Sequence, residues 1–235
     1  MIRQLCGDTV TVSSDCPVEG RIEAYYRAYG TGYDFCRFYT GDNVLAMLYC
    51  GELFVKAYHG ADMEELGYFI DTVPHFSLIA AGFQPDGAEP LLHMRGSFEQ
   101  SGNADCITED YSAVYEVLSD AFGITDESDF GRWYTDTCHR VRHNVSRLLL
   151  ICDNGMPAAT ATVLYDNRYG AFLSHIGVKR RLWGKGCGRR IVSKAAEIYG
   201  NISLLCEQDK QEFYEKCGLT CRGTVYKVLR NGDGK

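Results

Sequence analysis

From residue 178 to residue 188 the chain reads Val-Lys-Arg-Arg-Leu-Trp-Gly-Lys-Gly-Cys-Gly, after an apolar run and before a segment of helical apolar periodicity. Such a succession reads as a strand feeding a glycine-rich turn that opens a helix. Gly184, Gly186 and Gly188 let the backbone approach an anion with no Cβ in the way, and amides at a helix start point toward it. Lys179, Arg180, Arg181, Lys185, Arg189 and Arg190 crowd this turn although the chain carries a net charge of −7. Positive charge is concentrated at one place, as a phosphate cradle requires.

With 235 residues, 46% hydrophobic and 23% charged, the chain has globular composition and room for one large domain or two small ones. No stretch approaches the roughly 18 apolar residues that cross a bilayer, and the N-terminus lacks the apolar core of a signal peptide. The expectation is a cytoplasmic protein without a membrane partner. Eleven cysteines run from Cys6 to Cys221 without a CxxC pair, mostly inside apolar runs, and read as reduced, buried thiols. His139 and His143 stand four apart on a predicted helix but lack the catalytic Glu of a zinc protease, and Cys217 and Cys221 lack a second pair, so no metal is expected. The acidic balance argues against a nucleic-acid partner, which needs a basic face, and suits a cationic acceptor. Asn144-Val-Ser146 and Asn201-Ile-Ser203 match a glycosylation acceptor that stays bare without secretion.

The first hundred residues predict a smaller α/β lobe: a helix from Pro17 to Ala28, strands at Phe35–Thr40, Val44–Tyr49 and Leu53–Tyr58, a helix over Met63–Thr72, and strands at Ser77–Ala81 and Leu91–Met94. The polar stretch 99–105 is the candidate boundary, dividing the chain into 1–100 and 101–235. Beyond it, Tyr111 to Phe122 and Phe130 to Val141 carry helical spacing. Arg147–Cys152, Ala158–Tyr165 and Tyr169–Val178 then read as strands joined by the hairpin turns Asp153-Asn154-Gly155 and Asp166-Asn167. A helix from Gly188 stops at Gly200. Ile202–Cys206 reads as a strand, Gln211–Cys217 as a short helix, and Thr224–Leu229 as a closing strand.

Two motifs in this order resemble the GNAT superfamily of acetyl-CoA-dependent N-acetyltransferases. Val178 to Gly188 lines up with the family's Val-x-Pro-x-x-Arg-Gly-x-Gly-x-Gly, with Arg180 where Pro is common and Trp183 in place of Arg or Gln. Phe213-Tyr214-Glu215-Lys216-Cys217-Gly218-Leu219 is similar to the family's Phe-Tyr-Glu-Lys-x-Gly-Phe. A Rossmann reading fails because Gly-x-Gly-x-Gly is not Gly-x-Gly-x-x-Gly, and a Walker A reading fails because Gly186 follows Lys185. The resemblance covers roughly residues 105 to 230. It implies an α+β fold, a mixed and mostly antiparallel sheet flanked by helices, with the first lobe a degenerate copy lacking cradle and Phe-Tyr-Glu-Lys segment. One coenzyme site per chain follows.

The resemblance further implies acetyl-CoA as co-substrate, bound by Ile176, Gly177 and Val178 on a splayed strand, by Trp183, Gly184, Lys185, Gly186, Cys187, Gly188 and Arg189 in the loop, and by Phe213. Tyr214 aligns with the family's general acid. Phe172 and Ser174 stand where several relatives carry the base, so Glu207, directly or through water, takes that role, with His175 on the opposite face as a fallback. Phe122, Phe130, Trp133 and Tyr134 are expected to wall the acceptor pocket, although helical spacing also suits them to a core. The reaction implied is acetyl transfer to a primary amine of a small molecule or peptide, with a homodimer as one possible assembly. The alternative is a non-catalytic acyl-CoA sensor or partner-binding protein.

Overall fold

The computed structural model describes residues 1–7, 9–102, 104–126 and 128–230. Two compact units interleave along the chain: Met1–His93, Leu205–Asp209 and the segment from Arg222 form the first, and Met94–Leu204 with Lys210–Cys221 form the second. The polar stretch 99–105 lies inside the second unit, with Asn103 outside the described residues.

In the first unit, strand β1 (Arg3–Gln4) precedes helix α1 (Pro17–Tyr29), strands β2 (Cys36–Gly41), β3 (Val44–Tyr49) and β4 (Glu52–Ala57), helix α2 (Met63–Thr72) and strand β5 (Ser77–Ala81). The meander forms because its apolar residues alternate onto two faces. Val44, Ala46, Leu53, Val55 and Ala57 are buried with Leu66, Phe69 and Ile70 of α2. On the other face Phe54 lies 4.9 Å from the Arg21 guanidinium and Phe38 5.3 Å from Tyr26, both partners on α1. Cys50 and Gly51 turn β3 into β4 with φ of 47° and 83°, the left-handed pair of a type I′ hairpin. Asp62 caps α2, its Oδ1 accepting from the amides of Glu64 at 3.0 Å and Glu65 at 3.1 Å. Strand β12 (Thr220–Leu229) pairs antiparallel with β5, Tyr226 opposite Ala80.

The second unit takes the end of β6 (Glu89–Ser97), then strand β7 (Ile107–Thr108), helices α3 (Tyr111–Phe122) and α4 (Ser128–Arg142), strands β8 (Arg147–Asp153), β9 (Met156–Asn167) and β10 (Gly170–Val178), helix α5 (Cys187–Tyr199), strand β11 (Asn201–Cys206) and helix α6 (Gln211–Lys216). Val114 and Leu118 of α3 bury Leu148, with Tyr111, Trp133 and Leu150 packed around them. Arg140 anchors the end of α4. It is 2% exposed, bonded to Asp136 at 2.6 Å and to the Ser146 hydroxyl at 2.9 Å, and Ser146 in turn donates to the Leu164 carbonyl at 2.8 Å.

Both units repeat one topology. In the first, β1/β2, β2/β3 and β3/β4 are antiparallel and β4/β5 parallel. In the second, β7/β8, β8/β9 and β9/β10 are antiparallel and β10/β11 parallel. No described helix is long and apolar enough to cross a membrane. No disulfide joins the described cysteines. Five thiols are buried, but Cys6, Cys50, Cys152 and Cys221 are exposed, so burial does not account for all eleven.

Candidate coenzyme site

The site begins at an irregularity in β10. Ser174 sits opposite Thr162 and Gly177 opposite Thr160, so His175 and Ile176 share one position on β9. His175 takes the left-handed φ of 48° that this bulge demands. On its other side β10 pairs with β11 only at Ala171, Phe172 and Leu173, opposite Ile202, Ser203 and Leu204. Among the described residues the pairing with β11 does not continue from Ser174 to Val178. The Lys179 amide donates to Ala158 of β9 at 3.0 Å, so the alternation of a strand turns the amide and carbonyl of Val178 toward the open edge, and those of Ile176 likewise. In the first unit the equivalent pair, β4 and β5, stays in register for five residues, from Glu52 opposite Ser77 to Lys56 opposite Ala81.

Gly177 is where β10 meets α3. A Cβ there would stand 3.2 Å from the Cβ of Ala121 and 3.7 Å from the Phe122 ring. On the opposite face the Val178 side chain approaches Gly188 of α5, at 3.5 Å from the position of its missing Cβ. Two neighbouring residues of one strand thus touch helices on the two faces of the sheet.

After Val178 the chain makes a short 3-10 turn over Arg180–Leu182 and enters α5 at Gly186. Gly184 and Gly186 have φ of 75° and 81°, and a Cβ at either would meet nothing within 4 Å. Glycine is required here by backbone conformation, and the space above it is open. Gly186 caps α5 without any side-chain bond. Among the described residues the amides of Gly184, Gly186, Cys187, Gly188 and Arg189 have no hydrogen-bond partner. Five main-chain donors at a positive helix end, in open space, are the chemistry a diphosphate needs. The first unit closes the equivalent position, since the Asp62 carboxylate occupies the α2 amides and Glu64 and Glu65 follow it.

The cations divide in two. Lys179 Nζ bonds Glu116 at 2.5 Å and the Arg180 amide donates to Asp120 at 2.6 Å, tying the turn down onto α3. Lys179 is therefore a strut rather than part of the anion's surroundings. Arg181, Lys185, Arg189 and Arg190 are exposed and make no ion pair among the described residues. The carboxylates at 116 and 120 escaped sequence reasoning, although their spacing of four on a predicted helix placed them on one face.

Phe213 of α6 leans on the loop: the Cζ of its ring is 3.1 Å from where a Cβ of Gly188 would lie. Tyr214 is its neighbour, half-buried, with its ring 5.0 Å from that of Phe213. Cys187 is buried as its apolar slot predicts, and only its amide faces the cradle. The structure thus gathers Ile176, Gly177, Val178, Trp183, Gly184, Lys185, Gly186, Cys187, Gly188, Arg189, Phe213 and Tyr214 in one unit. Glu207 is exposed and belongs to the other. Phe172 is buried, its ring stacked 5.1 Å from Tyr165.

Of the four expected acceptor walls, Phe130, Trp133 and Tyr134 are committed to the seam between α3 and α4. Phe130 meets Tyr115 at 4.9 Å, Trp133 meets Tyr115 at 5.2 Å and Tyr134 meets Tyr111 at 5.1 Å. Phe122 alone is at β10, 56% exposed beside Gly177.

The family model described as Acetyltransferase (GNAT) family matches residues 111–219, a span that runs from α3 through the cradle to the end of the Phe-Tyr-Glu-Lys segment. Over residues 111–219 the chain is similar to the GNAT family. Its members transfer acetyl groups, and transferase activity is what the match supports for this chain. The fold agrees with solved structures of low identity. A GCN5-related N-acetyltransferase from Sphaerobacter thermophilus aligns with a TM-score of 0.56 at 15% identity, over 92% of this chain and 87% of that one. A GCN5-related N-acetyltransferase from Kribbella flavida gives 0.55 at 15% identity over 84% and 90% of the two chains. An acetyltransferase from the GNAT family of Colwellia psychrerythraea gives 0.54 at 10% identity over 98% and 100%. No curated protein matches the chain by sequence. Among the described residues no three His, Cys, Asp or Glu side chains gather as a metal site would require.

Proposed function

We propose that this protein transfers an acetyl group from acetyl-CoA to a primary amine of a small molecule or peptide, directly, in a ternary complex. The observation that carries the reading is the junction of two features in one unit: the open edge of β10 over 174–178 and the uncapped α5 amides of 186–189 that follow it. A coenzyme with a diphosphate and an amide-bearing arm has a partner for each part. Amides of Gly186 to Arg189 and the cations Lys185 and Arg189 hold the diphosphate, and the Val178 and Ile176 edge holds the arm and polarises the thioester oxygen.

The carbon–sulfur bond breaks as a carbon–nitrogen bond forms, and the amine gives up a proton while the departing thiolate takes one. Tyr214 supplies the latter, since a phenol of pKa roughly 10 protonates a thiolate whose thiol titrates near roughly 8.5 at modest cost. Water accepts the amine proton. Phe122 lines the acceptor side. A thiol-release assay over a panel of primary amines tests the reading: Tyr214→Phe should lower kcat with little effect on CoA affinity. CoA binding without turnover on any amine would favour the sensor alternative, to which a buried Phe172 at a customary base position lends support.

A further inference from the structure

Trp183 departs from the family pattern, and its side chain reaches back to the strand before the loop. The 3-10 turn over 180–182 brings Trp183 back against the strand it has just left, its amide donating to the Arg180 carbonyl at 3.1 Å. There the indole Nε1 donates to the carbonyl of Val178 at 2.9 Å. That carbonyl lies on the stretch of β10 that β11 has abandoned. An unpaired strand edge is obliged to find donors, and here the chain provides one from its own next turn. The ring itself is 62% exposed, so the bond, rather than burial, is what holds it over the edge.

We propose that the Trp183 indole is a placeholder on β10: it satisfies the Val178 carbonyl in the free protein and yields that acceptor to an amide N–H of the coenzyme's pantetheine arm. The inference rests on the coenzyme reading above. Acceptor exchange makes the arm's amide, rather than the nucleotide, the element that moves the tryptophan. It also sets a penalty on binding equal to the net worth of the displaced bond over a bond to water. Such a bond is worth about two- to tenfold in an equilibrium constant.

The chain has two tryptophans, so the indole N–H region of a nitrogen–proton correlation spectrum holds two signals, assigned with Trp133→Phe. In the wild-type protein, saturating CoA should speed solvent exchange of the Trp183 indole proton by about two- to tenfold. Pantetheine, which has the amides and no nucleotide, should do the same at higher concentration. Adenosine 3′,5′-bisphosphate, which lacks the arm, should shift the amides of 186–189 and leave the indole bonded. Trp183→Phe keeps a ring but has no N–H, and should bind CoA about two- to tenfold more tightly. Shifted cradle amides with an unchanged indole under CoA would overturn the placeholder alone. So would release of the indole by the bisphosphate, or unchanged or weaker CoA affinity in Trp183→Phe. Cradle amides that do not respond to CoA would overturn the coenzyme reading and the placeholder with it.

Discussion

Gly186→Asp separates the charge of the cradle from its conformation. At Gly186 φ is 81°, and a Cβ would point into space with no atom within 4 Å. Any L-residue costs roughly 1–2 kcal/mol in this left-handed region, which in a chain of this size lowers the melting temperature by about 2–4 °C per kcal/mol. The protein should therefore fold. An aspartate would place its carboxylate in the space the open amides face. At about 4 Å from a phosphate oxygen, the repulsion is about 1 kcal/mol at the dielectric constant of water and about 4 kcal/mol at an effective value near 20. CoA affinity should fall by a factor between about five and about a thousand. Gly186→Asn has the same backbone cost and nearly the same shape without charge, so the ratio of the two dissociation constants reports electrostatics alone. Isothermal titration calorimetry at low and high salt should show that ratio shrinking as salt screens the carboxylate. A ratio under about twofold at low salt would refute the placement of the diphosphate at these amides.

Arg140→Ala removes the buried partner of Asp136 and Ser146 and should cost about 3–5 kcal/mol, read as a melting temperature about 10 °C lower. Asp62→Ala deletes the cap of α2 and should cost about 1 kcal/mol, while calorimetry finds CoA stoichiometry and affinity unchanged, because that helix end is not a coenzyme site. Burial holds the His75 imidazole below its ordinary range, against the opposing bond to the Val73 carbonyl, with Arg230 adding to the depression and Asp71 opposing it. The unfolded chain then takes up this proton first, so the contribution is full above about pH 6.5 and lost as pH falls through that value toward the folded pKa. Urea unfolding at three pH values across this window should show a steeper loss of stability for wild type than for His75→Gln.

Much of the fold was legible because periodicity and turn chemistry agreed. Val44–Tyr49, Met63–Thr72, Ser77–Ala81 and Tyr111–Phe122 have the predicted limits, each bounded by a capping aspartate, a glycine or an Asn-containing turn. The two-residue strands β1 and β7 carry no period to read, and β6 runs from Glu89 to Ser97, beyond the predicted Leu91–Met94. Its outer residues carry no apolar period, and two of them are held by partners distant in sequence, Arg95 by the Tyr169 carbonyl at 2.9 Å and Ser97 by Asn201 at 2.7 Å. At the site, Gly184, Gly186 and Gly188 announced the cradle because few other residues fit those conformations and contacts. What pins the cradle was harder to read: the spacing of Glu116 and Asp120 puts them on one helix face without naming their partners in the turn, and the indole bond to Val178 leaves no trace in local sequence. The acceptor wall misled for a related reason. Aromatic residues at helical spacing serve a helix–helix seam as well as a pocket, and only the packing of Phe130, Trp133 and Tyr134 against Tyr111 and Tyr115 distinguishes the two.

Two units share a topology, yet only one has a parted parallel pair and an uncapped helix start. Titration of the intact chain with CoA, followed by calorimetry, tests this asymmetry most directly. The account predicts a single binding event at one coenzyme per chain, weakened by Gly186→Asp and indifferent to Asp62→Ala. Two equivalents bound, or no heat at all, would contradict it.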